Sequence, residues 1–152
     1  MNTLANNLNP RNWAVAAVIA TIVLTIFMEG IARVVFGAPL KPAALICGIF
    51  GWEQDMMMVA EIIHYAIGLI AFPIGYIVLR SIVPSVPSFL LGLAYGLVLW
   101  LVAMAVIAPM AGVAAFLGGG QMMIGSLVAH LAYGVVLAFF VGRATDASAQ
   151  PA

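Results

Sequence analysis

Four long apolar runs constrain this chain more than any other feature. They cover residues 13–36, 56–80, 89–108 and 121–141, and each has about the 20 residues that an α-helix needs to cross the hydrocarbon core of a bilayer. Hydrophobic residues make up 66% of the chain and charged residues 7%, whereas soluble proteins have about 45–50% and about 25%. The sequence therefore predicts an all-α fold, a four-transmembrane-helix bundle of up-down-up-down topology, with residues 1–152 forming a single integral membrane domain.

The connections between the runs predict how the bundle is oriented. The longest connection, residues 37–55, contains an apolar segment at 43–50 that is too short to span and is typical of a short interfacial helix. Arg11, Arg80 and Arg143 all fall on the side that carries both termini. Because positive residues concentrate in cytoplasmic segments, we expect a multi-pass protein of the bacterial inner membrane with both termini in the cytoplasm and the 37–55 loop outside it.

Two features of the spans predict how the helices pack. Pro73 lies inside the second run, where it should bend the helix and free a carbonyl that a neighbouring helix must satisfy. Gly92 and Gly96 are spaced one turn apart in the third run, a spacing that permits close helix contact in membranes.

Charge and motifs exclude several classes of function. The formal net charge is zero, and no basic cluster is present, so nucleic acid is not an expected partner. The chain lacks a P-loop, a dinucleotide-binding glycine pattern, a nucleophile elbow and a His-Glu-x-x-His motif. We assign no catalytic residue, and the sequence favours a non-enzymatic role.

Ionisable residues inside the apolar runs mark the candidate site. Glu61 and His64 lie one helical turn apart in the second run, and the pattern His-x-Ala-x-Gly beginning at His64 recurs at His130. With a rise of about 1.5 Å per residue, His64, His130 and Glu29 each lie roughly 20–24 Å from the cytoplasmic edge. We therefore expect these groups to share the outer third of the membrane, where the two imidazoles could face each other.

These residues allow two kinds of cofactor site. His64 and His130 could be the axial ligands of a haem b held between two parallel helices. Alternatively, Glu29, Glu61, His64 and His130 could hold a single transition-metal ion. Copper is a further possibility, because thioethers suit Cu(I). The outer part of the predicted bundle holds eight methionines: Met28, Met56, Met57, Met58, Met104, Met110, Met122 and Met123.

The same residues also allow a purely structural interpretation. Glu29 can pair with Arg33, and Glu61 can pair with His64. His130 can hydrogen-bond Ser126 on its own helix, a backbone carbonyl or a residue across the bundle. The glycines one turn after each histidine can be packing notches, and the polar cluster then serves assembly or recognition of a partner. Transport of protons or small solutes is a third interpretation.

Several segments resemble a family of small uncharacterised four-helix bacterial inner-membrane proteins, a domain of unknown function. They are Ala20 to Thr25, Pro73 to Tyr76, Gly96 to Trp100 and, most specifically, Gly125 to Gly134. The resemblance implies the fold and the location. It implies no activity.

Taken together, these observations favour a non-enzymatic accessory or stabilising subunit of a larger membrane complex, for example a respiratory one. The expected partners are the lipid bilayer and other membrane-protein subunits or further copies of this chain. Haem or metal binding at His64 and His130, with a redox or metal-handling role, is the alternative.

Overall fold

The computed structural model describes residues 10–37 and 41–142, and these residues form helices with no strand. We name α1 (Trp13–Val35), α2 (Pro42–Phe50), α3 (Gln54–Ile82), α4 (Ser88–Met110) and α5 (Gln121–Val141). All except α2 are long and apolar enough to cross a membrane. The predicted all-α fold with four spans is confirmed, and the chain is a multi-pass membrane protein. Arg143 lies outside the described residues.

The short helix α2 packs on the end of the bundle that carries the start of α3. Ala43 and Cys47 form a small buried cluster with Ala60 of α3. A side-chain carbon at Gly48 would lie 2.5 Å from the backbone carbonyl of Ala111, so glycine is needed where α2 meets the end of α4. The segment predicted as a short helix at 43–50 therefore does form one.

Close backbone contact joins α4 to α5. A side-chain carbon at Gly92 would lie 2.5 Å from the carbonyl oxygen of Gly134, and one at Gly96 would collide with the carbonyl of His130. Real side-chain carbons do not approach backbone atoms so closely, so these glycines let the two helices approach each other. The predicted packing role of Gly92 and Gly96 is confirmed.

Among the four spans, α5 is the most enclosed. In its most apolar stretch 44% of residues are buried, compared with 17% for α3. One face of α5 contributes Ala129, Tyr133 and Leu137 to the main core, where Ala20 and Leu24 of α1 also lie. α3 consequently presents most of its surface outward.

A turn of π-helix at Ile67–Ala71 precedes Pro73 in α3. In this turn the N–H of Phe72 donates to the carbonyl of Ile67, five residues earlier. The next carbonyl, that of Gly68, would need the N–H of Pro73, and proline has none. The hydroxyl of Tyr133 on α5 donates to the Gly68 carbonyl instead, so a neighbouring helix satisfies the freed group as the sequence predicts.

A second tyrosine attaches α3 to α4. The hydroxyl of Tyr95 donates to the carbonyl of Phe72 at 2.7 Å, and the tyrosine hydroxyl packs against Gly75, where a side-chain carbon would lie 2.6 Å from it. The region of α3 around Pro73 is therefore held by one hydroxyl from α5 and one from α4.

We predict that Tyr133→Phe lowers the free energy of unfolding by about 0.5–1.5 kcal/mol, because the Gly68 carbonyl loses its donor while the ring still fills the core. The same substitution should be less destabilising in a Pro73→Ala background, where residue 73 regains an N–H for this turn. Reversible unfolding in mixed micelles measures both effects. Equal losses in the two backgrounds would contradict this account of the freed carbonyl.

Candidate functional site

The ionisable residues of the spans lie near the ends of three helices that share one side of the bundle. Glu29 is six residues before the end of α1, and Glu61 is seven residues after the start of α3. His130 is nine residues after the start of α5. At about 1.5 Å per residue, these positions lie roughly 9–14 Å inside the helix ends. The expected grouping by depth thus agrees with the helix bounds.

Glu29 lies on a turn of π-helix, Ile26–Ile31, and its side chain is exposed on the lateral surface. The hydroxyl of Tyr65 on α3 donates to one carboxylate oxygen of Glu29 over a long 3.4 Å. No ion pair joins Glu29 to Arg33 in the part of the chain that the structure describes. The acid therefore contacts α3 across the bundle and does not pair along its own helix.

Glu61 is partly buried and lies within electrostatic range of Glu29 and Lys41. No hydrogen bond joins it to His64 among the described residues, although the two are three residues apart. Glu61 on α3 therefore has a second acid, Glu29 of α1, and one cation, Lys41 at the start of α2, within electrostatic range.

His130 is 6% exposed and faces the interior of the bundle. Its Nδ1 atom lies 2.7 Å from the carbonyl oxygen of Ser126, one of the contacts that the sequence allows. A carbonyl oxygen only accepts hydrogen bonds, so Nδ1 carries the proton. In the neutral ring, Nε2 therefore keeps a lone pair.

His64 is partly buried on α3 and lies beside Tyr65, with ring centroids 5.7 Å apart. It lies within electrostatic range of Glu29 and of His130. The two histidines of the repeated pattern therefore lie within electrostatic range of each other, His130 in the core and His64 nearer the surface.

The full set of proposed metal ligands does not form one centre. Among residues 10–37 and 41–142, no group of three or more His, Cys, Asp or Glu side chains could hold a metal ion. Glu29, Glu61, His64 and His130 therefore do not make a site of three or more ligands in this part of the chain, and the pair of imidazoles stays a prediction. The methionines are also dispersed, since Met28 and Met104 are buried whereas Met58 and Met110 are exposed.

The glycines that follow the two histidines are packing positions. Gly134 meets the carbonyl of Gly92, and a side-chain carbon at Gly68 would lie 3.3 Å from the hydroxyl oxygen of Thr21. The repeated spacing of His64–Gly68 and His130–Gly134 therefore places each imidazole one turn from a close helix contact.

Sequence reasoning did not predict that three polar groups of the spans are buried without a partner. Thr21 Oγ1, Trp100 Nε1 and Ser126 Oγ are buried and have no hydrogen-bond partner in the structure. Because Gly92 meets Gly134 and Gly96 meets His130, the same antiparallel register places Trp100 opposite Ser126. The sequence does show these hydroxyl and indole groups within apolar spans. That they point inward depends on how each helix is rotated about its own axis, which only the structure shows.

The fold and the polar residues inside it define a small multi-pass membrane protein with an ionisable cluster between three spans. The chain belongs to a family of unknown function, DUF6789, whose model matches residues 10–152. This membership confirms the resemblance noted in the sequence. No curated protein and no solved structure matches the chain.

We predict that His130 is the Nδ1–H tautomer when neutral, because the Ser126 carbonyl requires a donor. The ¹⁵N chemical shifts of histidine-labelled protein in lipid nanodiscs measure this directly. His64, which has no such carbonyl contact among the described residues, serves as the internal comparison. Finding the Nε2–H form at His130 would contradict the assignment.

Proposed function

We propose that this protein is a non-enzymatic accessory subunit of a larger complex in the bacterial inner membrane, inserted with both termini in the cytoplasm. The observation that carries the proposal is the partly uncovered carboxylate of Glu61 inside α3. Intramembrane ionisable groups almost always face protein or a water-filled cavity. A partner subunit that covers the outer face of α3 would supply that environment.

The energetic argument concerns what surrounds Glu61. A charged carboxylate at the centre of a span costs about 2.5–3.5 kcal/mol on insertion scales, and the cost falls toward the membrane surface. Glu29 adds a second acid within electrostatic range, while Lys41 is the cation near Glu61. A partner that contributes a hydrogen-bond donor or a cation here would lower this cost.

The surface around Glu61 suits lateral association. Met58 and Ile62, one turn before Glu61 and one residue after it on the same helix, are 73% and 62% exposed. Their apolar side chains would pack against another transmembrane helix as readily as against lipid, because association in membranes depends on packing and on polar contacts. α3 thus combines an open apolar face with a polar anchor.

The test is a co-purification from native membranes with tagged protein at its natural expression level. We predict that wild-type protein retains a membrane subunit at constant stoichiometry and that Glu61→Gln reduces this yield by about tenfold. Glu53→Gln is the matched control, because Glu53 is an exposed acid just before α3. Wild-type protein that purifies without any stoichiometric partner, or a partner insensitive to Glu61→Gln, would contradict the proposal.

A second candidate function is haem or metal binding at His64 and His130. It is favoured by one observation: the Ser126 carbonyl holds Nδ1 of His130, which leaves Nε2 with a lone pair. Metal-ligating histidines commonly donate their other ring N–H to a carbonyl in this way. The neighbouring His64 would supply a second nitrogen.

Visible absorption spectra of oxidised and reduced protein, with elemental analysis of the same sample, test this candidate. A haem protein should show a sharp reduced band and stoichiometric iron, and a copper or zinc protein should hold its ion without that band. His130→Ala should abolish either signal. Metal-free protein without a visible band would reject the candidate and would leave the accessory role untouched.

A further inference from the structure

We propose that the protein forms a parallel homodimer through α1, in which Glu29 of each copy pairs with Arg33 of the other and Gly30 lies at the contact. The inference goes beyond the accessory role, because it concerns a different helix and needs no other subunit. Three features of α1 support it.

The first feature is Gly30, a glycine with no packing role inside the chain. Glycine lowers helix stability relative to alanine, so an internal helical glycine usually has a packing reason. Gly68, Gly92, Gly96 and Gly134 each face atoms of a neighbouring helix, whereas a side-chain carbon at Gly30 would meet nothing within 4 Å. The notch at Gly30 therefore opens outward, where small residues let two membrane helices approach closely.

The second feature is the exposed face of α1 around this notch. Ile22 and Ile26 precede Gly30 by two turns and one turn, and Val34 follows it by one turn. Their exposed fractions are 52%, 53% and 86%. Ridges at i±4 on either side of a glycine notch form a surface into which an identical helix can pack.

The third feature is a pair of opposite charges that the monomer leaves unpaired. Glu29 and Arg33 are both exposed and lie one turn apart. Oε1 of Glu29 accepts the long Tyr65 hydrogen bond, which leaves its other oxygen available. No ion pair or side-chain hydrogen bond involves Arg33 in the described part of the chain.

These charges make the face complementary to itself. Copies inserted in the same orientation are related by a two-fold axis along the membrane normal. Each residue therefore lies at the same depth in the membrane as the same residue of the other copy. Glu29 and Arg33 differ in depth by about 6 Å, a gap that the long arginine side chain spans. A two-fold contact then forms both Glu29–Arg33 pairs at once, and an unrelated helix would match this pattern only by chance. The charges therefore favour a second copy as the occupant.

The test measures self-association of purified protein in lipid nanodiscs or liposomes, by resonance energy transfer between differently labelled copies. We expect wild-type protein to dimerise, and Glu29→Arg or Arg33→Glu alone to lower the association constant by about tenfold or more. An equal mixture of Glu29→Arg and Arg33→Glu proteins should restore association as a heterodimer, because each now supplies the charge that the other lacks. Glu53→Arg, an equivalent reversal outside α1, is the control and should leave association unchanged.

Gly30→Leu separates dimerisation from folding. The space beside Gly30 is empty within one copy, so the substitution should leave the helical content of the monomer unchanged while it blocks the dimer. Monomeric wild-type protein at all protein-to-lipid ratios would overturn the proposal. A dimer that survives all three substitutions, or a different protein held at Glu29 and Arg33, would also overturn it. None of these outcomes depends on Glu61, so the accessory role can fail or succeed separately.

Discussion

The bundle depends on the rule that every backbone polar group in the hydrocarbon core must find a partner inside the protein. Pro73 breaks that rule in α3, and the hydroxyl of Tyr133 restores it by donating to the Gly68 carbonyl. This bond crosses from the most enclosed span to the least enclosed one. The phenol of Tyr133 thus joins α3 to the most enclosed helix of the bundle.

The same bond links the two segments that share the pattern His-x-Ala-x-Gly. Its acceptor is Gly68 of the first segment, and its donor is Tyr133, one residue before the glycine of the second. His64 and His130 lie one turn away on their own helices. The tyrosine contact therefore lies within about one helical turn of each histidine along its own helix.

Much of this architecture could be predicted from the sequence, because apolar length and helical rise are sufficient for it. The four spans, the short helix at 43–50, the common depth of Glu29, His64 and His130, and the close packing at Gly92 all follow from spacing alone. The rotation of each helix about its own axis does not follow from spacing. The hydrogen bond from Tyr65 to Glu29 and the buried, unpartnered indole N–H of Trp100 were not predicted. Each depends on which face a helix turns toward its neighbours.

The π turns explain part of that difficulty. They occur at Ile26–Ile31, Ile67–Ala71, Ala103–Ile107 and Ala138–Gly142. Each inserts one extra residue into a turn, so side chains beyond it occupy a different angular position from that of a regular α-helix. A helical period of 3.6 residues, applied across such a turn, predicts the wrong direction for every later side chain. Glu29 lies in the first π turn, Ile26–Ile31.

The central position of α5 has a consequence for how the protein is made. α5 follows α1, α3 and α4 along the chain, so the ribosome delivers it after the helices that surround it. Until it is inserted, the groove at Gly92 and Gly96 and the Gly68 carbonyl face lipid or the insertion machinery without their partner. Assembly of the bundle must therefore wait for α5, and until then α3 is held by its own hydrophobicity and by its Tyr95 contact with α4.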